Sequence, residues 1–249
     1  MNKKNTVQTK NDAIEDISSV QRELRRLGDP QRAGILQRFF KTGPGEYAEG
    51  DKFLGITVPQ TRKLVRKYSH LTLNQVQTLL GSDYHEERLL AVLILVAQFK
   101  KADAELQQRI FRFYVKNKRY VNNWDLVDSS SPVIVGGFLR DKERTLLYDY
   151  AQSKNLWDRR IAIMSTFTFI RVGDFSDSLA LARILLQDSH DLIHKAVGWM
   201  LREIGKRDLT TEERFLDAHS SQMPRTMLRY AIEKFDKNKK QHYLGKKPA

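Results

Sequence analysis

Ile14-Glu15-Asp16-Ile17-Ser18-Ser19-Val20-Gln21-Arg22-Glu23-Leu24-Arg25-Arg26-Leu27-Gly28-Asp29-Pro30-Gln31-Arg32-Ala33-Gly34-Ile35-Leu36-Gln37-Arg38-Phe39-Phe40 reads as two helices and the turn between them. Ile14, Ile17, Val20, Leu24 and Leu27 recur every three or four residues and make one apolar stripe, which Gly28 ends. Asp29-Pro30 supplies an N-cap followed by a first-turn proline. They open a second helix that carries Ile35, Leu36, Phe39 and Phe40. A connection this short makes the two helices neighbours.

The same grammar runs down the chain. Thr42–Asp51 holds three Gly and one Pro and reads as a loop. Thr57-Val58-Pro59 starts a basic helix with Arg62, Lys63, Arg66 and Lys67. Helical periodicity places further helices near 72–80, 83–99, 103–117, 122–137, 142–152, 155–170, 175–187, 190–204, 210–219 and 224–236. Thr210 and Glu213 have capping-box spacing, and Pro224 is another first-turn proline. No alternating strand pattern or hairpin turn occurs. Many short helices with brief connections predict an all-α fold, an α-solenoid of HEAT-like helical repeats with a concave basic groove. No strict repeat is visible, so the repeats are degenerate; a compact α-bundle is the other architecture this pattern allows. One repeat domain is expected over 11–236, after a flexible stretch 1–10 and before a basic, disordered tail 237–249.

The chain has 249 residues and a formal net charge of +13. Residues 1–10 carry +3 and residues 234–249 carry +5, which leaves +5 for the rest. The balance favours a polyanionic partner, nucleic acid first, and the tails exaggerate it. There are no cysteines, which excludes disulfides, thiol catalysis and Cys-ligated zinc. The N-terminus lacks the apolar run of a signal peptide, and no stretch has transmembrane length. A soluble, cytoplasmic protein is expected.

Chemistry concentrates around the tryptophans. Trp124 and Asp128 lie four apart on one helical face, in Val121-Asn122-Asn123-Trp124-Asp125-Leu126-Val127-Asp128. Trp157 is followed by Arg160 at three, and Trp199 is flanked by Lys195 and Arg202 at four and three. A lone Trp is more often core than platform. The coincidence with charge favours a site for Trp124 and Trp199 and leaves Trp157 to structure. A helical Asp pair is most often solvated or capping; the sharper reading makes Asp128 a site carboxylate held by Arg160. Arg159 and the basic helix 59–67 read plainly as surface charge, and beside a concave site as phosphate contacts. His190-Asp191-Leu192-Ile193-His194 has the His spacing of zinc proteases, but Asp stands where Glu is needed and no third ligand is evident, so no metal is expected. Neither a glycine-rich phosphate loop nor a serine nucleophile elbow occurs, and no cofactor is expected.

Four segments together resemble one family. Phe53-Leu54-Gly55-Ile56-Thr57-Val58-Pro59-Gln60-Thr61-Arg62 resembles the start of the third helix of the AlkD-type DNA alkylation repair family. Trp124-Asp125-Leu126-Val127-Asp128 is similar to its central Trp-Asp-x-Val-Asp motif, and Asn155-Leu156-Trp157-Asp158-Arg159-Arg160-Ile161-Ala162 to its Trp-x-x-Arg segment. Lys195-Ala196-Val197-Gly198-Trp199-Met200-Leu201-Arg202-Glu203 resembles its Lys-Ala-x-Gly-Trp-x-Leu-Arg-Glu signature. The matches keep family order and span residues 30–236 or so.

The resemblance implies a HEAT-like solenoid cradling duplex DNA and a monofunctional N-glycosylase for N3- and N7-alkylated purines that does not flip the lesion into a deep pocket. It gives catalytic roles to Asp128, Trp124, Trp199 and Arg160. It maps a second-helix ring to Phe39, and DNA contacts fall to Phe39, Arg62, Lys63, Arg66, Arg159, Lys195 and Arg202. The expected partner is double-stranded DNA carrying alkylated bases, met by a monomer that is nucleoid-associated when bound. This chain departs from the pattern at Asn123, where an aromatic can precede the motif Trp, in the Gly-rich insert Thr42–Asp51, and at Phe39, which lacks a hydroxyl. The alternative function is a non-catalytic HEAT-like scaffold for nucleic acid or protein; the intact Asp128 argues against it.

Overall fold

A computed structural model describes residues 17–245, so Ile14, the stretch 1–10 and residues 246–249 lie outside the described residues. The helices are α1 (Ile17–Arg26), α2 (Pro30–Phe39), α3 (Val58–Tyr68), α4 (Leu73–Leu80), α5 (His85–Lys101), α6 (Ala104–Asn117), α7 (Trp124–Ser131), α8 (Gly137–Leu139), α9 (Thr145–Ala151), α10 (Leu156–Ser165), α11 (Phe167–Ile170), α12 (Ser176–Ile184), α13 (Asp191–Gly205), α14 (Leu209–His219), α15 (Arg225–Ala231) and α16 (Lys237–Gly245). Among the described residues the only β pairing is an isolated parallel bridge between Lys52 and Tyr84, and no helix is long and apolar enough to cross a membrane.

The caps named in the sequence set the early boundaries. Asp29 accepts from the Arg32 N–H at the start of α2. Thr57 and Gln60 form a reciprocal capping box on α3, satisfying two amides that would otherwise lack partners. Gly55, with φ +83°, lets the chain turn against α2, where a Cβ would come within 2.1 Å of the Asp29 carbonyl oxygen. The buried Glu86 carboxylate then accepts from the amides of Leu54, Gly55 and Ile56 at 2.8–3.1 Å. A segment without regular structure therefore keeps its amides paired in the interior.

The helices pack in two layers. Along one row α5 packs on α7, α7 on α10, α10 on α13 and α13 on α15; α4, α6, α9, α12 and α14 back that row. The result is the expected all-α, HEAT-like solenoid. Helix α5 is its mid-section spine, with Leu89–Val96 buried on every side, as a helix apolar all round must be. Where α13 crosses α15 the backbones nearly touch. A Cβ on Gly198 would lie 2.4 Å from the Met227 carbonyl oxygen and 2.5 Å from Tyr230 Cβ. Gly198→Ala must push the helices apart, and overpacking of this kind costs about 1–3 kcal/mol. Thermal denaturation should show a lower Tm; an unchanged Tm would contradict this packing.

Several boundaries differ from the sequence reading. The helix expected over 122–137 is α-helical only to Ser131, continues as a π-helical segment over Pro132–Gly136, and resumes as α8. Pro132 has no N–H for the Asp128 carbonyl, so the register slips. Helix α14 is capped by Asp208, which accepts from the Thr211 amide, rather than by Thr210, and Pro224 is itself the N-cap residue before α15. The tail expected to be disordered from 237 folds as α16 up to Gly245. Charge density concealed an anchor there: Tyr243 is buried with its hydroxyl donating to Asp217, and Arg225 donates to the Leu244 carbonyl at 2.9 Å.

Candidate active site

The inner row presents α7, α10, α13 and α15 side by side, and the loop after α2 faces them across a cleft. Phe39, Tyr47, Trp124, Asp128, Arg160, Lys195, Trp199 and Tyr230 are among the residues around a cavity of about 390 Å³. A volume of this size suits a small organic group.

Asp128 and Arg160 form its floor. Arg160 Nε donates to Asp128 Oδ1 at 2.9 Å and Nη2 to Oδ2 at 2.7 Å, while Nη1 donates to the Leu192 carbonyl at the start of α13. One guanidinium thus locks three elements of the inner row with its rigid fork. The Asp128 side chain is only 13% exposed. Burial raises its carboxyl above the ordinary carboxylate range, and Arg160 pulls it back without cancelling the shift. The two-point contact opposes that shift by favouring the charged form. Each oxygen retains a second lone pair for something in the cavity.

The tryptophans stand on either side. Trp124 opens α7, where the fully buried Asn123 caps the helix and donates to Asp51 at 3.2 Å. The departure at Asn123 is therefore an anchor behind the site. Trp199 Nε1–H donates to Glu203 at 3.2 Å, which fixes the plane of the ring. Phe39 is 62% exposed at the rim and meets Trp124 edge-on at 6.2 Å. Lys195 pairs with Asp191 at 2.8 Å on the cavity wall.

The other expected contacts lie elsewhere. Arg159 pairs with Asp188 at 2.6 Å and Arg202 with Glu233, so both are engaged by the protein itself. Arg62 and Arg66 line a separate depression between α3 and α5 together with Lys100 and Lys101, and Lys63 is exposed on the same helix. His190 caps α13, its Nδ1 accepting from the Leu192 amide, and His194 Nε2 meets the Asp188 carbonyl. Both histidines of the zinc-like spacing thus have backbone partners.

Two parts of the site escaped the sequence reading. One is Tyr47, in the Gly-rich insert; an aromatic in a glycine loop was the available signal. The other is a charged cluster behind Trp124. Trp124 stacks on Phe40 at 5.3 Å, Phe40 on Phe53 at 4.9 Å, and Phe53 on His85 at 4.6 Å. His85 Nε2 donates to Asp125 at 2.8 Å, and Asp51 lies 3.6 Å from Nδ1 and 2.7 Å from Arg88. Burial alone would lower the His85 pKa; Asp125 and Asp51 outweigh it and hold the imidazole raised to about 9.

A histidine charged in the fold and ordinary when unfolded stabilises the protein fully below pH 6.5 or so, and that contribution is lost as pH rises through about 9. Its size is on the order of 3 kcal/mol. Denaturant unfolding should show stability falling between pH 7 and 9.5, with a smaller fall in Asp125→Asn. A flat wild-type profile would contradict a charged His85.

Comparison with known proteins places the chain. Residues 20–235 match a family model described as DNA alkylation repair enzyme. A solved structure described as a predicted DNA alkylation repair enzyme from Enterococcus faecalis superposes with a TM-score of 0.67 at 16% sequence identity, covering 84% of this chain and 97% of that one. At that identity the likeness shows the fold. No curated protein matches the chain significantly.

Proposed function

We propose that this chain, which belongs to the DNA alkylation repair enzyme family, is a monofunctional DNA N-glycosylase that hydrolyses the bond between deoxyribose and an N3- or N7-alkylated purine in duplex DNA. The observation that carries the reading is a largely buried carboxylate, Asp128, clamped by Arg160 in a cavity that Trp124 and Trp199 also line.

Alkylation at N3 or N7 leaves the purine cationic and ready to depart, so no strong general acid is required. The glycosidic bond breaks with its electron pair going to the purine, and positive charge grows on C1′ and the ring oxygen. Asp128, preorganised and shielded from water, stabilises that oxocarbenium character. The water that adds to C1′ gives its proton toward the same carboxylate, whose raised pKa suits it to accept one. The faces of Trp124 and Trp199 add cation–π stabilisation of roughly 0.5–2 kcal/mol. Phe39 at the rim packs on the sugar-phosphate backbone, and Lys195, with Arg62, Lys63 and Arg66 further along, meets flanking phosphates. The lesion is reached without flipping the base into a pocket. The enzyme acts as a cytoplasmic monomer on nucleoid DNA, with no cofactor.

The test is selectivity by charge. Duplexes carrying 7-methylguanine or 3-methyladenine should lose the base, and duplexes carrying hypoxanthine or uracil should not. Brisk release of a neutral base would sink the mechanism, and release of none would leave a non-catalytic scaffold.

A further inference from the structure

Three ties to Trp124 meet at one side chain, His85, that does not line the cavity. The first runs through rings. Phe40 stacks on the indole at 5.3 Å and 12°, and Phe53 stacks on Phe40. The His85 ring lies 5.0 Å from Phe40 and 4.6 Å from Phe53, centre to centre. The second tie runs through the residue after the tryptophan. Asp125 accepts from His85 Nε2 at 2.8 Å with one oxygen and from the Leu126 amide at 2.8 Å with the other. The third runs through the residue before it. Asn123 Oδ1 accepts from the Trp124 amide, and Nδ2 donates to Asp51, the carboxylate 3.6 Å from His85 Nδ1. His85 thus backs the ring and both chain neighbours of Trp124 while itself only 2% exposed.

A carboxylate stands at each imidazole nitrogen. A neutral ring would point a lone pair at one of them, so both nitrogens carry hydrogen. The remaining charged group facing the ring is Arg88, on the same helix as His85 and paired with Asp51 at 2.7 Å. Two carboxylates and two cations therefore balance in the interior, as buried charges must. The balance reaches the reacting group. Burial raises the Asp128 carboxyl, and the charge of Asp125 on the same helix adds to the rise. The His85 cation offsets that charge.

We propose that His85 is a positioning residue for the reaction at Asp128: without touching the substrate, it fixes the Trp124 ring through Asp125, Asn123 and the Phe40–Phe53 stack. The proposal rests on the glycosylase reading. Helix α7 carries Trp124 and Asp128 on one face, so a first turn that rocks moves the indole relative to the carboxylate. A displacement on the order of 1 Å at a reacting site can cost about 10²-fold in rate.

The experiment reads Trp124 directly. Full-length protein carrying 5-fluorotryptophan at its three tryptophans is titrated by fluorine NMR without DNA, with the Trp124 resonance assigned by Trp124→Phe. That resonance should move with a midpoint of about 9, as His85 loses its proton, while those of Trp157 and Trp199 hold. Burial lowers the His85 pKa and Asp125 opposes it most, so Asp125→Asn should bring the midpoint down. His85→Gln should abolish the movement. The same variant should slow single-turnover release of 7-methylguanine about tenfold or more, with binding to an uncleavable 2′-fluoro duplex unchanged. A Trp124 resonance that stays put through pH 9 overturns the proposal. So does a movement shared by all three tryptophans, or a loss of binding as large as the loss of rate. If wild type releases no base, the glycosylase reading falls, and the fluorine titration then decides on His85 by itself.

Discussion

Asp128→Asn is expected to slow release of 7-methylguanine by 10²–10³-fold or so, the usual cost of losing one preorganised electrostatic group. The amide keeps the shape of the carboxylate, so the cavity survives, but no negative charge faces the growing oxocarbenium ion. The fold is affected as well. Arg160 donates to both Asp128 oxygens, and the new NH₂ would face one of those N–H groups. An unpaired buried donor costs about 1–3 kcal/mol, so the variant should melt several degrees lower while remaining helical by circular dichroism. Single-turnover kinetics below the new Tm separate the two effects. An Asp128→Asn protein as fast as wild type would show that the charge does no catalysis.

Arg160→Ala should be the more damaging change. It removes the partner of a buried carboxylate and also the tie to the Leu192 carbonyl. Breaking one side of a buried ion pair costs about 3–5 kcal/mol. Asp128, already raised by burial, loses the cation that pulls its pKa down, so the pKa rises further. Activity requires the ionised form. It is present above that pKa and lost as pH falls through it, so the acid limb of the pH–rate profile must move to higher pH. Arg160→Lys keeps the charge without the planar fork and should fall between. A profile whose acid limb stays in place in Arg160→Ala would mean that another group, not Asp128, sets the limb.

Much of this was legible in the chain. Stripes such as Val20 and Leu24 and the caps at Asp29 and Thr57 report local physics, and the helices form where they say. Trp124, Asp128, Arg160 and Trp199 were legible as motif residues at helical spacing, and the solenoid brings them to one cavity. Tyr47 was not, because its partners Trp157 and His190 are more than a hundred residues away and only the tertiary fold joins them. The His85 cluster was hidden for the same reason: Asp51, His85 and Asp125 belong to three elements and mean nothing singly. The ion pairs of Arg159 and Arg202 were hidden too, because their acidic partners, Asp188 and Glu233, are also distant. Helix α16 was masked by lysines, with Tyr243 its single buried anchor.

The measurement that bears most directly on the account is the product left when wild-type protein meets duplex DNA carrying one 7-methylguanine. The account predicts free 7-methylguanine in solution and an abasic strand that stays intact until alkali is added. Restored guanine in an uncut duplex, a strand broken without alkali, or a lesion bound and never released would contradict it.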